Sequence, residues 1–218
     1  MIGDVTLSFD NGPTQGITEQ ILDVLRRQQV LSTFFVLGKN MESPELRALA
    51  RRASEEGHWI GNHTYSHSVQ LGNTQGVEVV RAELGRTQGL IGALSHPSRL
   101  FRPYGGGGEL TNRLLSRDAV AYMHRERYTC VLWNAVPHDW DDPDGWVDTA
   151  LAQCRATPWA VVVVHDIANG AMPHLESFIE RAREEGARFR QEFPDHCKVM
   201  VEGYPEPTLE DYVAEAAP

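Results

Sequence analysis

Short apolar runs alternate with amphipathic stretches along most of the chain. Val5-Thr6-Leu7-Ser8-Phe9 alternates apolar and polar residues with the period of a strand. It runs into Asp10-Asn11-Gly12-Pro13, a turn signal. Ile21, Leu22 and Leu25 then recur at helical spacing and predict a helix over residues 18–28. Residues 32–36 form the next apolar run. A helix over 44–56 is predicted by Ser43 as N-cap, Pro44 at the first helical position and Gly57 just past the end. The same reading gives strands at 59–61, 100–101, 128–133, 160–164 and 188–193, with helices at 75–94, 110–126, 146–154 and 175–186. This rhythm implies a parallel sheet, open or closed into a barrel. The unbroken Val161-Val162-Val163-Val164 suits a strand covered on both faces. Residues 1–193 are expected to form one domain. Residues 194–218 break the rhythm and hold one strand candidate, 198–201; they are expected to pack on the domain or serve an interface.

Five polar clusters stand directly after strand candidates: Asp10-Asn11-Gly12-Pro13, His63 to His67, Arg102-Pro103-Tyr104, Asp139-Trp140 and His165-Asp166. Ligands of parallel α/β folds gather at the carboxyl ends of the strands, so these clusters are candidates for one cleft. His63 and His67 are four apart, and on a helical turn both imidazoles can reach one divalent ion; two surface histidines would show the same spacing. Asp10 can act as a general base or brace the turn that follows it. Arg102 can pair with Asp10 and keep it ionised, or make an ordinary ion pair elsewhere. His165 can act as a general acid or be a core histidine held by a carbonyl. Asp139 can orient His165 or cap the loop after it. Trp140, Tyr65, Tyr104 and Trp133 can supply platforms under a sugar ring or belong to the core. The glycines at 105–108 lack the Lys-Ser/Thr of a phosphate-binding loop and read as a flexible connection before the next helix.

Composition narrows the partners. A net charge of −10, a pI near 5.3 and the lack of a Lys/Arg block argue against nucleic acid and anionic membranes. There is no 18-residue apolar run to span a bilayer. Cys130, Cys154 and Cys197 are odd in number and widely spaced, which argues against a disulfide framework. The opening Met1-Ile2-Gly3-Asp4 lacks the parts of a leader; the expectation is a cytoplasmic protein, or one whose leader has been trimmed. A small or neutral substrate fits best, and oligomerisation stays open.

Taken in order, the clusters resemble the five motifs of the polysaccharide deacetylase family, the NodB-homology domain of carbohydrate esterase family 4. Ser8-Phe9-Asp10-Asn11-Gly12-Pro13 stands where the family has Thr-Phe-Asp-Asp-Gly-Pro. His63 to His67 matches the second motif, Arg102-Pro103-Tyr104-Gly105 a third motif shortened by one residue, Asp139-Trp140 the fourth and Val163-Val164-His165-Asp166 the fifth. The resemblance implies a distorted (β/α) barrel of seven or eight mostly parallel strands that removes an N-acetyl, or sometimes an O-acetyl, group from a carbohydrate. It implies Asp10 as base, His165 as acid, and Arg102 and Asp139 as their partners. The Tyr104 backbone N–H would serve as oxyanion donor. A divalent metal, zinc foremost, would lie on His63, His67 and Asn11. Tyr104, Trp140 and Tyr65 would contact substrate. Asn11 replaces the family's metal-binding aspartate, so weakened metal binding is expected; a branch acting on muramic-lactam precursors carries a similar Asp-Asn-Gly. Two other functions fit the same residues: hydrolysis of a small cyclic amide or ureide with little or no metal, and carbohydrate binding without catalysis.

Overall fold

The computed structural model describes residues 1–215. Its strands are β1 (Asp4–Asp10), β2 (Thr33–Val36), β3 (Trp59–Asn62), β4 (Leu100–Phe101), β5 (Thr129–Val131), β6 (Trp159–His165), β7 (Arg188–Arg190), β8 (Lys198–Val201) and β9 (Tyr204–Pro205). They lie in the order β6-β1-β2-β3-β4-β5-β8-β9 and are parallel from β6 to β5. β6 pairs along the whole length of β1. The other edge of β1 is shared, with β7 beside Asp4–Thr6 and β2 beside Ser8–Asp10. The sheet curls until the segment after β5 meets β6: Ala135 N–H donates to Val161 O (3.2 Å), and Val163 N–H donates to Ala135 O (3.0 Å). A mostly parallel, curled sheet wrapped by helices is the barrel expected from the sequence.

The wrapping helices are α1 (Ile17–Gln28), α2 (Pro44–Glu55), α3 (Val77–Val80), α4 (Arg86–Ile91), α5 (Arg117–Glu126), α6 (Trp146–Ala156) and α7 (Leu175–Glu184). Strand parity sorts the side chains. Val5, Leu7, Phe9, Val162 and Val164 join the core formed with α1, α6 and α7, whereas Val161, Val163, Phe35 and Phe101 belong to a second core. β1 therefore turns Thr6, Ser8 and Asp10 toward the second face, and the last of these reaches the carboxyl rim. The Ser43 cap holds: its Oγ accepts from Leu46 N–H at 3.3 Å, and Gly57 past the end of α2 has φ 94°. Cys130, Cys154 and Cys197 are free and buried, and burial raises their thiols to about 12, 12 and 11.

Two expected helices differ from the structure. The stretch at 75–94 contains a five-residue π-helical segment, Arg81–Gly85, between α3 and α4. The helix expected from residue 110 starts at Arg117, where Ser116 Oγ accepts from Ala119 N–H. Leu114 and Leu115, whose apolar character extended the expected helix, are instead buried in the second core, and Leu115 N–H donates to Tyr212 O at 3.0 Å. That tertiary strand-like contact outweighs local helix propensity. Farther along, β8 pairs antiparallel with β5, and Leu209 and Val213 are buried beside it. Residues 216–218 of the expected extension lie outside the described residues.

Candidate active site

Register places the first two candidate side chains. Asp10 and His165 are partners on the adjacent parallel strands β1 and β6, so their side chains leave the same face roughly 5 Å apart. Arg102, just after β4, crosses the barrel interior fully buried. Its Nη1 donates to Asp10 Oδ1 (2.9 Å) and to Ser8 Oγ (2.8 Å). Ser8 Oγ in turn donates to Val162 O at 3.0 Å. The Arg102 guanidinium lies over the Phe35 ring, 4.1 Å from its centroid, a cation–π contact in place of further oxygen acceptors. Burial works to raise the Asp10 carboxyl, but the Arg102 guanidinium outweighs it and holds the group below its ordinary 3.8.

His165 is held in a matching way. Its Nδ1 lies 2.7 Å from Asp139 Oδ1, and its backbone N–H donates to Asp139 Oδ2 at 3.0 Å. A carboxylate only accepts, so Nδ1 carries a proton and Nε2 is the atom free to exchange one. Asp139 is buried and also receives Asn169 Nδ2–H on its backbone O (3.0 Å) and on Oδ2 (3.2 Å). The Trp140 ring stands at 88° to the His165 ring, 4.7 Å away.

His63 and His67 meet in the cleft with ring centroids 4.9 Å apart. The helical turn expected to bring them together is absent. Residues 63–67 form an irregular loop after β3, with positive φ at Thr64 (68°) and His67 (55°). His63 Nδ1 lies 2.9 Å from Arg102 O; the carbonyl accepts, so Nδ1 is protonated and Nε2, 3.5 Å from Asp10 Oδ2, keeps its lone pair. Burial lowers the His63 imidazole from 6.5. Burial, with His63 next to it, pushes His67 down to about 3. Both rings therefore stand neutral, as ligation requires. Asn11 borders the same cavity, and its Oδ1 is buried without a hydrogen-bond partner. Among the described residues no group of three or more His, Cys, Asp or Glu side chains is placed to hold a metal ion. Two imidazole nitrogens and one orphaned amide oxygen nonetheless make a donor set that a divalent ion fits.

These groups line a cavity of about 270 Å³. Tyr104 stands 4.1 Å from the His67 ring, and Trp133, Val136, Trp140 and Ile167 form its apolar walls. Tyr65 is not on the wall. Its ring lies under the Arg86 guanidinium at 3.9 Å and beside Gly38, so the structure does not bring it to the cavity with Tyr104 and Trp140. Gly105, Gly107 and Gly108, in the stretch expected to be a flexible connection, are part of the wall. Gly105 approaches Trp133 so closely that a Cβ would lie 2.5 Å from the ring, and Trp133 Nε1–H donates to Gly108 O at 2.8 Å. Ser8 and Asn169 were missed in the sequence. Ser8 was signalled by the parity of β1, which puts it on the Asp10 face, whereas no local pattern marks Asn169.

Residues 2–123 match the family described as polysaccharide deacetylase. The chain belongs to that family. Among curated members, this deacetylase-family chain is 34% identical over 167 residues to the chitooligosaccharide deacetylase of a Bradyrhizobium strain, covering 74% of this chain and 70% of the relative. It is 27% identical over 187 residues to a peptidoglycan-N-acetylglucosamine deacetylase of Listeria monocytogenes, covering 85% of this chain but only 37% of the relative's length. Among solved structures, a family 4 carbohydrate esterase from Streptomyces lividans in complex with acetate superposes with a TM-score of 0.70 at 26% identity, over 90% of this chain and 96% of that one. No helix among the described residues is long and apolar enough to cross a membrane.

Proposed function

We propose that this chain is a hydrolase that removes the acetyl group from an N-acetylated amino sugar. The observation that carries the reading is the pairing of a buried Asp10–Arg102 couple with a His165–Asp139 couple on neighbouring strands of one cleft. Membership of a family whose named relatives are carbohydrate deacetylases supports it.

Arg102 keeps Asp10 ionised, so its proton-accepting form is the resting form at neutral pH. As a water oxygen attacks the acetyl carbonyl, Asp10 takes a proton from that water. The Tyr104 backbone N–H is assigned to the oxygen of the tetrahedral intermediate, a contact typically worth about 3 kcal/mol. Protonated His165, steadied by Asp139, passes a proton from Nε2 to the departing nitrogen; the C–N bond breaks and acetate leaves. A divalent ion such as zinc, held by His63, His67 and Asn11, would polarise the carbonyl and lower the pKa of a bound water toward about 7. Trp140 and Tyr104 are the assigned contacts for the sugar, and the small cavity favours a short substrate.

Acetate release from chitooligosaccharides is the expected result, suppressed by a chelator and restored by added zinc. No acetate from any acetylated glycan, at high enzyme with zinc or cobalt supplied, would count decisively against this reading. The uncharged Asn11 ligand favours a second reading, hydrolysis of a small cyclic amide. Turnover of ring amides but not glycans, undiminished by chelation, would establish it. Asn11→Asp adds a negative charge at the orphaned oxygen, and zinc should then bind at least about tenfold tighter, ~1.4 kcal/mol, by isothermal titration of the metal-stripped protein.

A further inference from the structure

We propose that Glu83 is the positioning residue of the histidine loop: its carboxylate holds residues 64–67 in the shape that turns the His63 and His67 imidazoles into one cleft. The consequence of this hold for metal affinity rests on the metal-binding reading of the two histidines given above. Glu83 sits on the π-helical segment Arg81–Gly85, and it is buried despite its charge, with 7% exposure. Its Oε2 accepts from Tyr65 N–H and Ser66 N–H, both at 2.9 Å, and its Oε1 accepts from Ser66 Oγ–H at 2.8 Å. All three donors lie between the two histidines.

The loop needs such a hold. Thr64 is β-branched and His67 is not glycine, yet both have positive φ, a region that non-glycine residues occupy only when surrounding contacts enforce it. Local bonds inside the loop are few: Thr64 Oγ1 accepts from His67 N–H at 3.3 Å, and Asn62 Oδ1 accepts from Thr64 N–H at 3.0 Å. The loop's carbonyls are held from the other side, where Gly38 N–H donates to Thr64 O (2.9 Å), Lys39 N–H to Tyr65 O (3.1 Å) and Lys39 Nζ to Ser66 O (3.1 Å), so Glu83 is the group that takes up the N–H groups of Tyr65 and Ser66. Asn62 Nδ2 donates to Leu84 O at 2.9 Å, and Arg86 covers Tyr65. A π segment places helical side chains out of α-register, and such bulges are frequent at functional sites. Here it faces the loop with a side chain that can accept three hydrogen bonds. A glutamine would keep the shape but present N–H groups where the loop also presents donors.

The test titrates Zn²⁺ alone into the metal-stripped full chain carrying Glu83→Gln or Ser66→Ala, and measures amide hydrogen exchange of Tyr65 and Ser66 without metal. Glu83→Gln should weaken zinc binding about 10–100-fold, the usual cost of losing a supporting residue around a metal site, with a smaller loss for Ser66→Ala. Tyr65 and Ser66 should exchange faster in Glu83→Gln while β1 amides keep their protection. An unchanged zinc Kd in folded Glu83→Gln overturns the assignment, whether or not exchange changes. If the wild-type chain takes up no zinc, the metal reading falls, and exchange alone decides the clamp: faster exchange supports it and unchanged exchange refutes it. If Glu83→Gln fails to fold, Ser66→Ala decides by the same two measurements.

Discussion

Asp10→Asn is expected to lower kcat/KM for acetate release by about 10²–10⁴-fold, the span usually contributed by a general base. The substitution keeps an oxygen for Arg102 Nη1 but removes the only carboxylate that lines the cavity among the described residues. It also leaves the buried guanidinium without a counter-charge, so some stability will be lost. Activity must therefore be measured under conditions where circular dichroism shows the fold intact. A folded variant that retains a tenth of wild-type turnover would exclude Asp10 as the proton acceptor.

Arg102→Met should produce the largest change in stability. The methionine fills part of the barrel interior, but Asp10 stays buried with its cationic partner gone. Breaking a buried pair from one side typically costs about 3–5 kcal/mol, and the Ser8 bond is lost as well. The pH dependence has a definite sign. In the wild-type protein the Asp10 carboxyl is held below 3.8, so its contribution to folding is fully present above that value and disappears as pH falls through the lowered one. The variant lacks this contribution, and burial then drives the carboxyl upward. The stability gap between the two proteins, read by urea denaturation, should be widest near neutral pH and narrow in acid. The acid limb of the pH–rate profile should move to higher pH. A gap that stays constant across pH, with an unmoved acid limb, would show that Arg102 acts on packing alone.

Much of the barrel was legible because period is a local property. The two-residue alternation of Val5 to Phe9 marked β1 and its two faces, and the buried valine run marked β6. The Ser43-Pro44 start and Gly57 stop of α2 follow from capping chemistry within a few residues. Where the reading failed, a distant partner had outvoted local preference. Leu114 and Leu115 left a helical pattern to pack with the C-terminal segment, and 75–94 contains a π segment. Asp10, Arg102 and His165 could be named as candidates because each ends or directly follows a strand, and Asp139 because it opens a polar cluster in the loop between β5 and α6. Asn169 and Glu83 could not, since each acts through hydrogen bonds to residues 30 and 17–18 positions away. The placement of Tyr65 outside the cavity lining was illegible for a related reason: proximity to His63 in sequence does not say which way a loop turns its side chains.

The sequence alone determined which residue types stand at the strand ends and in what order, because periodicity and turn chemistry operate over a handful of neighbours. Only the tertiary structure decided which of them meet. Strand register set Asp10 opposite His165, curling of the sheet carried Arg102 across the interior to Asp10, and an irregular loop, rather than a helix, brought His63 to His67. The reason is physical: these contacts span many residues, and their geometry depends on how the whole sheet twists, packs and closes rather than on any stretch of chain taken by itself.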